Sequence, residues 1–82
     1  MESKWVRFEE ADIEGRKTEV WFVFPVKSNV ELGVVKWYGG WRCYAFYPED
    51  MTIYEKQCLR DIAQFCEEET NKWRESKKKA VA

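Results

Sequence analysis

Residues 31–48 read ELGVVKWYGGWRCYAFYP, two extended aromatic runs that meet at Gly39-Gly40. A two-residue hairpin loop needs positive φ at its centre, which glycine adopts at little cost, so the pair predicts a β-hairpin. The register that follows sets Tyr38 opposite Trp41, Trp37 opposite Arg42, Lys36 opposite Cys43 and Val35 opposite Tyr44. Val34 then meets Ala45, and Gly33 meets Phe46, where the missing side chain leaves room for a ring. The period of two sorts the hairpin into faces. Tyr38, Trp41, Lys36, Cys43, Val34, Ala45, Leu32 and Tyr47 share one; Trp37, Arg42, Val35, Tyr44 and Phe46 share the other. Trp37 and Arg42 would stack as a cation–π pair worth about 0.5–1 kcal/mol at an exposed site.

Upstream of the hairpin, residues 18–26 read TEVWFVFPV. β-Branched and aromatic residues suit a pleated surface. Val20, Phe22 and Phe24 take one side and Trp21 and Val23 the other, so both sides are apolar, as in a central strand. Pro25 has no donor and belongs at the strand's end. Lys27-Ser28-Asn29 then makes a short antiparallel turn. Nearer the N-terminus, Trp5-Val6-Arg7-Phe8 reads as a first strand with Val6 and Phe8 on one side. The polar stretch EEADIEGRK behind it is a surface connection with Gly15 in its turn.

Downstream, Pro48-Glu49-Asp50-Met51 ends the strand. Thr52-Ile53-Tyr54-Glu55 matches a capping box, with Thr52 as N-cap and Glu55 reaching back to its amide. Tyr54, Cys58, Leu59, Ile62, Ala63, Phe65 and Cys66 fall on one side of a helical wheel, and Lys56, Arg60, Gln64, Glu67 and Glu68 on the other. That is a helix built to cover a sheet. Glu69 interrupts the stripe, leaving Trp73 as the last contact. Glu68 pairs with Lys72, the lysines at 77–79 suit the negative end of the helix dipole, and residues 77–82 fray. The chain therefore reads as one α+β domain over residues 1–82. It is a three- or four-stranded antiparallel meander packed on one face by a C-terminal amphipathic helix. One helix covers only one face, so aromatic surface is left over.

The chemistry is read mostly from what is missing. With no histidine in the chain, Cys–His and Ser–His nucleophile pairs are excluded. Cys58 and Cys66 sit eight residues apart on one helix, roughly 12 Å along its axis, too far to share a zinc ion or a disulfide. Both look like small core residues, and Cys43 has no activating neighbour beyond Lys36. The acid pairs Glu9-Glu10, Glu49-Asp50 and Glu67-Glu68-Glu69 read as solvated surface. Gly39-Gly40 is not followed by the GK[ST] of a phosphate loop. The expectation is a protein that is not an enzyme, with no catalytic residues, no cofactor and no metal. No leader pattern is visible, the run VWFVFPV at 20–26 is too short to span a bilayer, and three cysteines without framework spacing fit a reduced cytoplasm.

A formal charge of −1 removes the usual electrostatic case for duplex DNA binding. The face carrying Trp37, Arg42, Tyr44 and Phe46 is the candidate contact surface, because aromatic and arginine side chains dominate protein interfaces. A protein partner or a second copy, giving a homodimer, is the favoured occupant. Single-stranded nucleic acid, stacked on the same rings, is the alternative.

The run GVVKWYGGWRCYAFYP, a short gap and then CLRDIAQFCEE also resembles a family of small, uncharacterised tailed-phage and prophage proteins. The likeness rests on Gly33, Trp37-Tyr38, Trp41-Arg42, Tyr44, Phe46 and Pro48, then Cys58-Leu59, Asp61-Ile62 and Phe65. It covers a little under half of the chain, as a WYxxWRxYxFxP hairpin followed by a CLxDIxxF helix. Members of that family often have cysteine where this chain has Ala45. The resemblance implies a phage or prophage origin and a bacterial host cytoplasm, and carries over no activity.

Overall fold

The computed structural model describes residues 2–15 and 17–81, with side chains as far as Lys78. Its elements are β1 (Val6–Glu10), β2 (Val20–Pro25), β3 (Gly33–Tyr38), β4 (Cys43–Pro48) and α1 (Lys56–Val81). The strands pair antiparallel in the order β1-β2-β3-β4. The residues read as a first strand thus join the sheet, β2 is an inner strand, and the fold is the expected α+β meander and helix. Gly15 takes its turn with φ 80°.

The hairpin differs from its predicted register. Tyr38 pairs with Cys43, Trp37 with Tyr44, Lys36 with Ala45, Val35 with Phe46, Val34 with Tyr47 and Gly33 with Pro48. The loop therefore holds Gly39, Gly40, Trp41 and Arg42 instead of the two glycines alone. It is closed by the Arg42 and Trp41 amides, which donate to the Tyr38 carbonyl at 2.9 and 3.3 Å. Positive φ falls on Arg42, at 55°, and not on Gly39 or Gly40. Gly40 serves close approach instead, since a Cβ there would lie 2.8 Å from the Tyr38 ring. Trp37 and Arg42 are consequently not cross-strand partners, and their cation–π pair does not form.

Alternation places Val6, Phe8, Trp21, Val23, Val35, Trp37, Tyr44 and Phe46 on one side of the sheet. That is the side α1 covers. Phe65 stacks on Phe8 with centroids 3.9 Å apart and meets Trp21 edge-on at 5.0 Å. Trp73 lies 4.4 Å from Trp37, and Tyr54 meets Phe46 edge-on at 5.5 Å. Val6, Trp21, Val23, Val35, Tyr44, Ile62 and Phe65 form the buried core. Aromatic pairs of this geometry add about 0.5–1.5 kcal/mol each beyond the area they bury.

The helix itself departs from the wheel in detail. It begins at Lys56, three residues later than a Thr52 cap implies. Glu55 is the cap, its carboxylate accepting from the amides of Gln57 and Cys58. Thr52 is unavailable because its hydroxyl lies 2.9 Å from the Glu49 carbonyl and 3.0 Å from the Tyr54 hydroxyl. Leu59 is half exposed and Ala63 exposed, so the covering stripe is narrower than the apolar one. Lys72 pairs with Glu69 at 3.0 Å, not with Glu68, which Gln64 holds instead. α1 is helical as far as Val81; Ala82, the end of the stretch expected to fray, lies outside the described residues.

Two buried polar side chains fasten the helix to the sheet. Asp61 accepts from the Ser3 hydroxyl at 2.6 Å and from Gln57 at 2.9 Å, while Ser3 accepts from the Val6 amide at 3.2 Å. Thr70 accepts from the Tyr44 amide at 3.0 Å and donates to the Cys66 carbonyl at 2.7 Å. The Tyr44 amide points out of the β4 edge, so Thr70 closes a position where another strand would otherwise dock. At about 1.5 Å per residue the 26 residues of α1 run roughly 39 Å, well past six-residue strands of roughly 20 Å. The molecule measures 42 × 25 × 23 Å, elongated along this overhang.

Gly33 is the tightest point of the sheet. A Cβ there would collide with the Tyr47 carbonyl and lie 2.9 Å from both the Phe46 ring and Pro48. The room left for Phe46 is real, though Gly33 itself pairs with Pro48. Gly33→Ala should therefore cost about 1–3 kcal/mol, as overpacking does. A urea melt with an unchanged midpoint would contradict this packing.

Candidate interaction surface

The side of the sheet away from α1 is also apolar. Alternation gives it Arg7 and Glu9 from β1, Phe22 and Phe24 from β2, Val34, Lys36 and Tyr38 from β3, and Ala45 and Tyr47 from β4. Phe22 and Phe24 lie 6.5 Å apart, and Trp41 leans edge-on against Tyr38 at 4.9 Å. Trp41 is 74 % exposed, Tyr38 40 % and Phe22 36 %. A shallow apolar groove of about 200 Å³ runs between Tyr38, Trp41, Ala45 and Tyr47. Trp5 and Val26, linked through the Val26 amide at 3.0 Å and both exposed, extend this surface past the end of β1.

The cations on this face are already engaged. The Lys36 ammonium lies 4.5 Å over the Tyr47 ring, and the Arg7 guanidinium 4.8 Å over Phe24. Arg7 also pairs with Glu9 at 2.8 Å and donates to the carbonyls of Pro25 and Ser28 and to the Asn29 side chain. One arginine on β1 thereby holds the connection between β2 and β3. Nothing in the local sequence marks it for that role, because its partners lie eighteen or more residues away.

The residues expected to form the contact surface are placed differently. Tyr44 is 5 % exposed, lies edge-on to both Trp21 and Trp37, and its hydroxyl accepts from the Glu19 amide at 3.1 Å. Trp37 lies between Tyr44 and Trp73, and Phe46 against Tyr54. These three are on the covered face, and Arg42 is exposed in the hairpin loop. The bare rings are those of the other set, led by Tyr38 and Trp41. Local alternation separates the two sets correctly but does not say which one the helix takes.

The cysteines remain thiols, and the fold brings two of them to one groove. Cys43 and Cys66 line a recess of about 300 Å³ with Tyr44, Thr70 and Arg74. Burial, and then the nearby Cys43, push the Cys66 thiol up to about 11, so at neutral pH it is not a thiolate. Among the described residues no helix is long and apolar enough to cross a membrane.

The class these features define is a small α+β domain with one aromatic sheet face covered and one bare. No protein family and no solved structure matches the chain. It is similar to an uncharacterized 9.3 kDa protein of Acholeplasma phage L2, at 25% identity over 63 residues, or 77% of this chain and 81% of that protein. The similarity is to a small phage protein and brings no activity with it.

Two carboxyl pairs flank the sheet at opposite ends. Glu10 is held above its ordinary value of 4.5 first by the hydrogen bond its protonated carboxyl donates to Glu19, and then by the charge of Glu19, by desolvation and by the charge of Asp12. Glu31 is raised in the same sense, first by its hydrogen bond with Glu49. A carboxyl with a higher pKa folded than unfolded binds its proton more tightly in the fold. Its contribution is complete below about 4.5 and is lost as pH rises through the raised value. Glu19→Gln combined with Glu49→Gln removes one charge from each pair. The variant should melt higher than the parent at neutral pH, and the difference should close as pH falls toward 4.5. Parallel melting curves across that range would contradict the pairing.

Proposed function

We propose that this is a non-catalytic, phage-type interaction protein that works in the bacterial host cytoplasm through its bare sheet face. The observation that carries the reading is the set of apolar side chains on the sheet side opposite the helix, Phe22, Phe24, Val34, Tyr38, Trp41 and Tyr47, of which Phe22, Tyr38 and Trp41 are exposed. Contiguous apolar surface on a small domain marks an interaction site, and tyrosine and tryptophan are the side chains that concentrate binding energy. The partner is a protein. A largely apolar face with its cations engaged gains little from a phosphate backbone.

The single-stranded nucleic acid alternative loses its stacking platform, because Trp37, Tyr44 and Phe46 lie beneath α1. Arg42 remains exposed in the hairpin loop, next to the exposed Trp41 and outside the covered set. A protein surface is the better fit.

A photo-crosslinking side chain at position 38 tests this reading, with the same group at the exposed Leu59 of the helix as control. Expressed in the host, position 38 should give a discrete protein adduct and position 59 should not. Phe22→Ser should abolish the adduct without unfolding the chain, since Phe22 lies outside the core. No adduct from position 38, or equal adducts from both positions, would overturn the reading.

A further inference from the structure

The two edges of the sheet are treated unequally. At the β4 edge, α1 packs alongside and Thr70 takes the outward Tyr44 amide. At the β1 edge, the Trp5 carbonyl and the Ala11 amide bond to β2, so odd residues face inward and Val6, Phe8 and Glu10 turn their backbone groups outward. Ser3 takes the Val6 amide. Among the described residues nothing pairs with the Phe8 and Glu10 positions of this edge, which run beside a recess of about 390 Å³ lined by Ser3, Val6, Phe8 and Phe65. An edge of this kind is a template for another strand.

Charged side chains on an edge strand ordinarily repel a second copy. Here they are sorted by sign along the strand. Over residues 4–12, beyond Glu2, Lys4 and Arg7 come first, and Glu9, Glu10 and Asp12 follow. A parallel copy would set like against like. An antiparallel copy centred on Phe8 sets Arg7 against Glu9 and Val6 against Glu10, with Lys4 on the side of the partner's acidic end. The two-fold contact brings each Arg7–Glu9 pair, bridged at 2.8 Å, beside its copy with opposite signs facing, an alternating square of charges formed while Arg7 keeps its bonds to Pro25, Ser28 and Asn29.

We infer that a second copy of this chain docks on the β1 edge, antiparallel and centred on Phe8, joining two four-stranded sheets into one of eight. Because α1 crosses from the Ser3 end of β1 toward β4, the two-fold axis sends the two helices to opposite ends of the junction. The two bare faces become one continuous surface on the same side. This contact uses an edge, not the bare face, so it stands or falls separately from the proposed function.

The test is the mass of the full chain in solution across a concentration series, with amide hydrogen exchange read at Phe8 and Glu10. Dimer should form with concentration, and both amides should become protected as it does. Glu10→Pro removes an outward donor that the monomer's ladder does not use, so the folded spectrum should persist while the dimer is lost. Glu9→Lys should raise the dissociation constant by at least about tenfold, by turning the square's attractions into repulsions. Added salt should weaken the parent dimer. A chain monomeric at every concentration would overturn the inference, as would a dimer in which Phe8 and Glu10 exchange freely. So would a dimer indifferent to Glu9→Lys but broken by Tyr38→Ser, which would place the contact on the bare face.

Discussion

The Phe65 ring, stacked on Phe8 and met edge-on by Trp21, is the contact on which the rest of this structure depends. It ties the middle of α1 to the first two strands and so decides which side of the sheet is core. Trp73 against Trp37 and Thr70 against the Tyr44 amide extend the attachment to β3 and β4. Asp61, through Ser3, secures the start of β1. With the helix seated there, no second element among the described residues covers Phe22, Phe24, Val34, Tyr38 and Tyr47. The bare face is a consequence of having one helix for two apolar sides.

Much of this was legible in the sequence because parity is robust. Moving the hairpin register by two residues replaced every predicted partner but left each strand residue on its predicted side. That is why Val35, Trp37, Tyr44 and Phe46 do form one surface even though Tyr38 pairs with Cys43 and not with Trp41. The strand residues of β1 and β2 sort correctly for the same reason. The loop departs from expectation because glycine's tolerance of positive φ is not put to use there. Arg42 supplies the positive φ, and Gly40 is small because the Tyr38 ring lies over it.

What the sequence could not give was set by distance along the chain. Both hairpin faces are apolar, and the choice between them rests on Phe65, Thr70 and Trp73, about thirty residues downstream, so local pattern is silent. Arg7 looks like an ordinary surface charge until its carbonyl partners at 25 and 28 are brought beside it. Asp61 and Thr70 look like polar helix surface, yet both are buried because each completes a hydrogen bond to a strand or its flank. The helix start moved for a local reason that composition hides, namely that the Thr52 hydroxyl is taken by the preceding turn.

The central claim is that α1 covers the face of Trp37, Tyr44 and Phe46 and leaves the face of Phe22, Tyr38 and Tyr47 bare. Hydroxyl-radical footprinting, read residue by residue on the dilute folded chain, tests it most directly. Tyr38, Trp41 and Phe22 should label quickly, and Tyr44, Trp21 and Phe65 should be strongly protected. Tyr44 and Phe46 labelling as fast as Tyr38 and Trp41 would mean the helix lies on the other side, and the site would have to be moved with it.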